Sequence, residues 1–300
     1  MSFTERPVVF ACAGETLLGV LAVPESTGDV AVLVVVGGPQ YRAGSHRQFT
    51  LSARALAAGG VPVLRFDHRG MGDSTGPPRQ FEAVGDDIAA AIDCLQRQLP
   101  QVRRVLLWGL CDGASAALLY WQATRDARVR GLCLMNPWVR SDVGLARVQV
   151  THYYTERLRQ RDFWIKLATG RVARSALSEA ISKARMAWSG AKRDPATAAP
   201  VAMTYQQRMA AAWRSFPGPI LLVLSGRDLT AKEFMQHAQS DLAWSGALAQ
   251  ANVARHDVDG TDHTFSDASS RASADCLALA WMTHAGFAPA ARAPHLETTS

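Results

Sequence analysis

Residues 105–119 read Val105-Leu106-Leu107-Trp108-Gly109-Leu110-Cys111-Asp112-Gly113-Ala114-Ser115-Ala116-Ala117-Leu118-Leu119. The first part is an apolar run of the length of a buried strand, and it breaks at Gly109. After Gly113 come small, helix-favouring residues. A strand that turns into a helix through Gly-x-Cys-x-Gly is the pattern of a nucleophile elbow, with Cys where the common form has Ser. The flanking glycines suit a bend with no room for a Cβ on either side, so Cys111 is expected in a strained, accessible pose. A buried structural cysteine is the competing reading, since free Cys is often a core residue.

The chain on either side supplies the rest of a sheet. Arg6–Cys12 and Thr16–Val23 read as paired strands. Ala31–Val36 has no alternation, as expected of a strand covered on both faces, and runs into Gly37-Gly38-Pro39-Gln40. Phe49–Ala58 carries helical periodicity, and Val61–Phe66 is a further strand closed by Asp67-His68-Arg69-Gly70-Met71-Gly72-Asp73-Ser74. Phe81–Leu99 reads as a helix with Ile88, Ile92 and Leu95 on one face. The strand of the elbow and Val129–Met135 follow. Past residue 216 come strands at Pro219–Ser225 and Val253–Val258, with helices at Lys232–Leu242 and Ala268–Thr283. The expectation is an α/β fold: a mainly parallel eight-stranded sheet flanked by helices, with its chemistry at the carboxyl ends of the strands.

Between Trp138 and about Ser215 the strand rhythm stops and apolar residues recur at helical spacing. We therefore expect core over 1–138, an inserted helical cap over 139–216, core again over 217–286 and a frayed tail over 287–300. Charge marks the same insertion. Arg140–Arg193 holds twelve Lys/Arg against four Asp/Glu, while the whole chain of 300 residues carries only +6. A basic layer can attract an acidic ligand or carrier, or can simply be a solvated face. The apolar fraction of 48% is that of an ordinary globular protein. No apolar run is long enough to span a bilayer, and the first residues lack the basic start and apolar core of a secretory signal. The five cysteines show no zinc-ligand spacing. Cys12, Cys94 and Cys133 fall inside strands or helices, which suits a reducing cytoplasm.

Three residues stand just past strand ends in the order Cys111, Asp228, His263, the chain order of the α/β-hydrolase fold. A thiol at a helix N-terminus beside an imidazole is driven toward thiolate. His263 would take and return the proton, and Asp228 would fix the tautomer. Asp142, Asp257 and Asp259 are competing acids, and Asp262 is a competing partner for His263. The anion formed on attack needs two backbone donors. Asp112 N–H is the expected first. The second is Gly38 or Gln40, because Pro39 has no N–H, and Gln40 is preferred. His46 and Arg47 could flank the cleft or begin the next helix. The turn at 67–74 lacks both GxGxxG spacing and a Walker lysine, so it reads as structural, with Asp67 and Arg69 bonding the loop. No metal or cofactor is called for, and nucleic acid has only the basic segment in its favour.

Gly37–Phe49 (Gly-Gly-Pro-Gln-Tyr-Arg-Ala-Gly-Ser-His-Arg-Gln-Phe), the turn at 67–74 and Gly109-Leu-Cys-Asp-Gly-Ala-Ser115 together resemble the hydrolase family associated with bacterial exosortase A systems, within the α/β-hydrolase superfamily. The resemblance covers roughly residues 6–138 and 217–285. It implies the α/β-hydrolase fold, puts Cys111, Asp228 and His263 in the triad places, and suggests a role near exopolysaccharide export. Cys in place of Ser is also found in dienelactone hydrolases of that superfamily. The expected reaction is hydrolysis of esters or thioesters. Tyr41, Trp138, Tyr153 and Tyr154 would contact the substrate, with Phe163, Trp164 and Trp188 covering the acyl group. The cap's arginines would suit an anionic coenzyme A or carrier-protein thioester. Acyl transfer to a sugar or alcohol and a non-catalytic accessory role are the alternatives.

Overall fold

The computed structural model describes residues 2–38, 40–140 and 203–288. Eight strands form one sheet: β1 (Phe3–Cys12), β2 (Glu15–Pro24), β3 (Val30–Val35), β4 (Val63–Phe66), β5 (Arg104–Leu110), β6 (Val129–Met135), β7 (Ile220–Ser225) and β8 (Val253–Val258). Their spatial order is β1-β2-β4-β3-β5-β6-β7-β8. β1 and β2 pair antiparallel, as do β2 and β4, and every later pairing is parallel. Burial follows position. The interior strands β3 and β7 are buried at every residue, whereas β1 and β8 at the two edges alternate or lie largely open.

Helices α1 (Gln48–Ala58), α2 (Gly85–Gln98), α3 (Asp112–Thr124), α4 (Tyr205–Ser215), α5 (Leu229–Ser240) and α6 (Ala268–His284) cover both faces. Successive strand residues point to opposite sides, which divides the core. Leu33, Val35 and Leu107 pack with α2, α3, α4 and α5. Val32, Val34, Leu106 and Trp108 pack with α1 and α6. Two helices begin differently from the sequence reading. The segment from Phe81 opens as a single 3₁₀ turn, and α2 starts only at Gly85. α5 starts three residues early because the Asp228 carboxylate accepts the Thr230 and Ala231 N–H groups and caps it. α4 falls in the stretch read as cap, yet its Met209 and Trp213 are buried in the core, where Trp213 stacks edge-on against Trp244 at 5.5 Å.

The strand order places the site. From β3 the chain steps to β4 on one side and then to β5 on the other. The crevice outside the carboxyl ends of β3 and β5 is therefore a topological switch point, where open α/β sheets bind ligands. The loop of residues 37–47 and the turn into α3 both lie there.

Candidate active site

Cys111 sits between β5 and α3 with φ 60° and ψ −127°. That region is strained for any residue with a Cβ and persists only where the surroundings enforce it. The enforcement comes from close backbone packing. A Cβ on Gly109 would lie 2.4 Å from Ala114 N, and one on Gly113 would lie 2.3 Å from Val35 O. Gly37 presses on the same turn: its Cβ would fall 2.4 Å from Gly113 N. The β3 loop and the start of α3 are thus in backbone contact. The thiol is half-buried, whereas Cys12, Cys94 and Cys133 are buried.

Asp228 follows β7, and its carboxylate is almost wholly buried. His263 lies in the loop between β8 and α6. Its Nδ1 is 2.8 Å from Asp228 Oδ2, which leaves Nε2 for a second partner, and the Cys111 thiol is near enough to act on the charge of the imidazole. Hydrogen bonding to the Asp228 carboxylate and then to Cys111 pushes the imidazole pKa up to about 10, against the opposing effect of burial. The fold therefore brings Cys111, His263 and Asp228 together from three separate strand ends. Of the competitors, Asp262 accepts the Thr264 and Ser266 N–H groups within its own loop, and Asp257 pairs with Arg255 at the open edge of the sheet. Asp142 lies outside the described residues.

The loop after β3 meets the elbow at Asp112. The Asp112 carboxyl packs against Gly37 with its buried Oδ1 unpartnered among the described residues, and burial pushes its pKa up. The Gln40 side chain turns back along its own loop and accepts the Ser45 N–H at 3.3 Å. Tyr41 is exposed, with the Arg42 guanidinium 4.3 Å from its ring centre. His46 and Arg47 both take left-handed backbone angles and are exposed. Trp138 is half-buried at the mouth of β6, stacked under Arg140 at 4.4 Å. Its backbone N–H donates to Cys111 O at 3.2 Å. Tyr153, Tyr154, Phe163, Trp164 and Trp188 lie outside the described residues.

The glycine-rich turn at 67–74 is occupied by internal bonds. Asp67 accepts the Arg42 N–H and the Asp73 N–H and pairs with the Arg42 guanidinium. Arg69 makes a buried two-pronged pair with Asp87. Among the described residues no group of three or more His, Cys, Asp or Glu side chains could hold a metal ion, and no helix is long and apolar enough to cross a membrane.

Sequence reasoning overlooked Asn136 and Ser115. Both are buried polar residues whose side chains bond the backbone of the site's loops. The only local signal was the turn-forming Asn-Pro pair after β6.

The sequence profile of the alpha/beta hydrolase family matches residues 32–279. Human protein ABHD12B is 30% identical over 120 residues, a match covering 38% of this chain and 32% of the human protein, so this chain aligns with about a third of that relative's length. Among solved structures, the Pyrococcus furiosus esterase Pf2001 superposes with a TM-score of 0.61 at 15% identity, over 94% of this chain and 93% of its own. A dienelactone hydrolase from Anabaena variabilis gives 0.58 at 14% identity, over 94% and 98%. The esterase domain of a Rhodothermus marinus protein gives 0.57 at 18% identity, over 94% and 99%. At such identities the structural likeness speaks to the fold alone. With the sheet order, the elbow and the profile match in agreement, the chain belongs to the alpha/beta hydrolase family.

Proposed function

We propose that this protein is a hydrolase that cleaves carboxylic esters or thioesters through a covalent acyl-enzyme on Cys111. The observation that carries this reading is the His263 imidazole, bonded to Asp228 through Nδ1 and raised in pKa by the nearby Cys111 thiol as well as by Asp228. With its proton already held on His263, the Cys111 sulfur attacks the carbonyl carbon as a thiolate, giving a tetrahedral oxyanion beside the imidazolium. The Asp112 N–H, at the positive end of α3, is one donor to that oxyanion. The second donor comes from the loop after β3, where the Gln40 N–H is preferred over that of Gly38 and Pro39 has none. Collapse of the tetrahedral species breaks the bond to the alcohol or thiol, which leaves with the proton from His263. Water then adds to the thioester with His263 as base, and the acid departs with the thiol restored.

The exposed Tyr41 and half-buried Trp138 supply an aromatic flank for the acyl group, and Tyr153 and Tyr154 would extend it. The basic segment Arg140–Arg193 suits an anionic leaving group such as coenzyme A or an acyl-carrier protein. The resemblance to exosortase-associated hydrolases directs attention to acyl groups on envelope polymers or their precursors. The five reduced cysteines support a cytoplasmic site of action.

The test is steady-state turnover of nitrophenyl esters and acyl thioesters of graded chain length, with product analysis in the presence of sugar and alcohol acceptors. Free acid formed by wild type and lost in His263→Ala supports the reading. Acyl transfer to the acceptor would reassign the second half-reaction, and absence of turnover across the set would refute an acyl hydrolase.

A further inference from the structure

We infer that Asn136 is a positioning residue: its side-chain amide, shared between Ser225 and the His263 carbonyl, holds the histidine loop in register with the elbow. The inference rests on the thiol–imidazole pair of the preceding section.

Asn136 follows β6 directly, is fully buried, and takes the left-handed angle φ 45°, which Asn tolerates better than most residues with a Cβ. Its backbone N–H donates to Val223 O at 3.0 Å. Its Oδ1 accepts the Ser225 N–H at 2.8 Å. Its Nδ2 donates to Ser225 Oγ at 2.9 Å and to the His263 carbonyl at 3.2 Å. These partners fix the orientation of the amide, because a backbone N–H can only donate and a carbonyl can only accept. An Asp side chain would satisfy Ser225 but has no proton for the His263 carbonyl when ionised. An apolar side chain would satisfy neither and would leave buried groups unpaired.

The same short segment grips the nucleophile. Met135 O accepts the Cys111 N–H at 2.9 Å, and the Trp138 N–H donates to Cys111 O at 3.2 Å. Ser115 Oγ donates to Trp138 O at 2.6 Å, tying the segment to α3. Residues 135–138 therefore bond both backbone groups of Cys111, the strand that leads into Asp228, and the backbone of His263. The three reacting side chains come from loops more than a hundred residues apart at the extremes, and the Asn136 side chain, set after β6, links the end of β7 that leads to Asp228 with the loop of His263. A displacement of about 1 Å at a reacting centre costs roughly a hundredfold in rate, so a bracket at this point governs reactivity as well as stability.

The experiment is the pH dependence of Cys111 alkylation by iodoacetamide, alongside kcat and KM on an ester that wild type turns over. Alkylation is followed at Cys111 by peptide mass, because Cys276 is exposed too. Asn136→Asp keeps the acceptor over Ser225 and removes the donor at His263. Asn136→Gly keeps the left-handed turn and removes both, so it stands in if the Asp variant does not fold. Each is expected to alkylate at least tenfold more slowly at pH 7, with its profile moved toward that of His263→Ala. Each should also lose kcat at least tenfold with KM within threefold. A folded variant whose alkylation profile coincides with wild type overturns the positioning role while leaving the triad intact. Alkylation in His263→Ala that matches wild type would instead remove the thiol–imidazole pair, and the bracket's role with it.

Discussion

Replacing Asp228 by Asn changes one atom and removes one charge. Both oxygens of the native carboxylate are in use: Oδ1 accepts Thr230 N–H at 3.0 Å, and Oδ2 accepts Ala231 N–H at 3.1 Å and faces His263 Nδ1 at 2.8 Å. An amide can be placed two ways. With its nitrogen at the Oδ1 position, the bond to Thr230 is lost. With its nitrogen at the Oδ2 position, it donates to Nδ1, so Nε2 carries the proton and cannot accept the one from the thiol. Either way the negative charge beside the imidazole is gone. Holding an imidazole at about 10 instead of 6.5 corresponds to at most ~5 kcal/mol between its protonation states. Cys111 shares that effect, and the His263 side chain is 31% exposed, so solvent screening brings the Asp228 share to roughly 2–3 kcal/mol. We expect kcat to fall by ~10²-fold if the charge alone matters, and by up to ~10⁴-fold if the tautomer is reversed, with KM within about threefold. Asn is nearly as good a helix cap as Asp, so unfolding free energy should change by no more than about 1 kcal/mol. Steady-state ester kinetics and chemical denaturation measure the two effects separately. A folded Asp228→Asn with kcat within threefold of wild type would refute the assignment of Asp228 as the acid.

Three further outcomes follow from the packing. Burial raises the Asp275 carboxyl to about 6, so the folded state holds its proton more tightly than the unfolded one. Stability is then lost as pH rises from about 4 to 6. Asp275→Asn should raise the melting temperature at pH 8 and leave it unchanged near pH 3.5, and equal effects at both pH values would contradict the burial argument. Gly113→Ala puts a Cβ 2.3 Å from Val35 O and should destabilise by ~2 kcal/mol or more, read as a lower denaturation midpoint. Asp87→Ala leaves the Arg69 guanidinium buried without its main partner and should cost about 3–5 kcal/mol. A loss under 1 kcal/mol there would show that Asp86 or water takes over.

The parts legible in the sequence were those where local pattern and tertiary role coincide. Residues 30–35 carry no alternation because both faces of β3 are covered, and that is visible in the composition itself. Gly109 and Gly113 announce the elbow because only glycine fits the contacts with Ala114 and Val35. Asp228 and His263 could be proposed from their places after strands. Asn136 could not, because its meaning lies in bonds to Ser225 and His263, 89 and 127 residues away. The role of the Asp112 carboxyl was hidden for the same reason. Its contact with Gly37 depends on β3 and β5 being neighbours in the sheet. The start of α5 was misjudged because Asp228 serves two purposes, helix cap and histidine partner, and only the second was considered.

The most direct test of the account is intact-mass analysis within seconds of mixing the enzyme with an activated ester or acyl thioester. The account predicts a transient increase equal to one acyl group, mapped by peptide mass to Cys111, absent in Cys111→Ala and longer-lived in His263→Ala if it forms there at all. Turnover that survives in Cys111→Ala, or an acyl group that maps to another side chain, would contradict it.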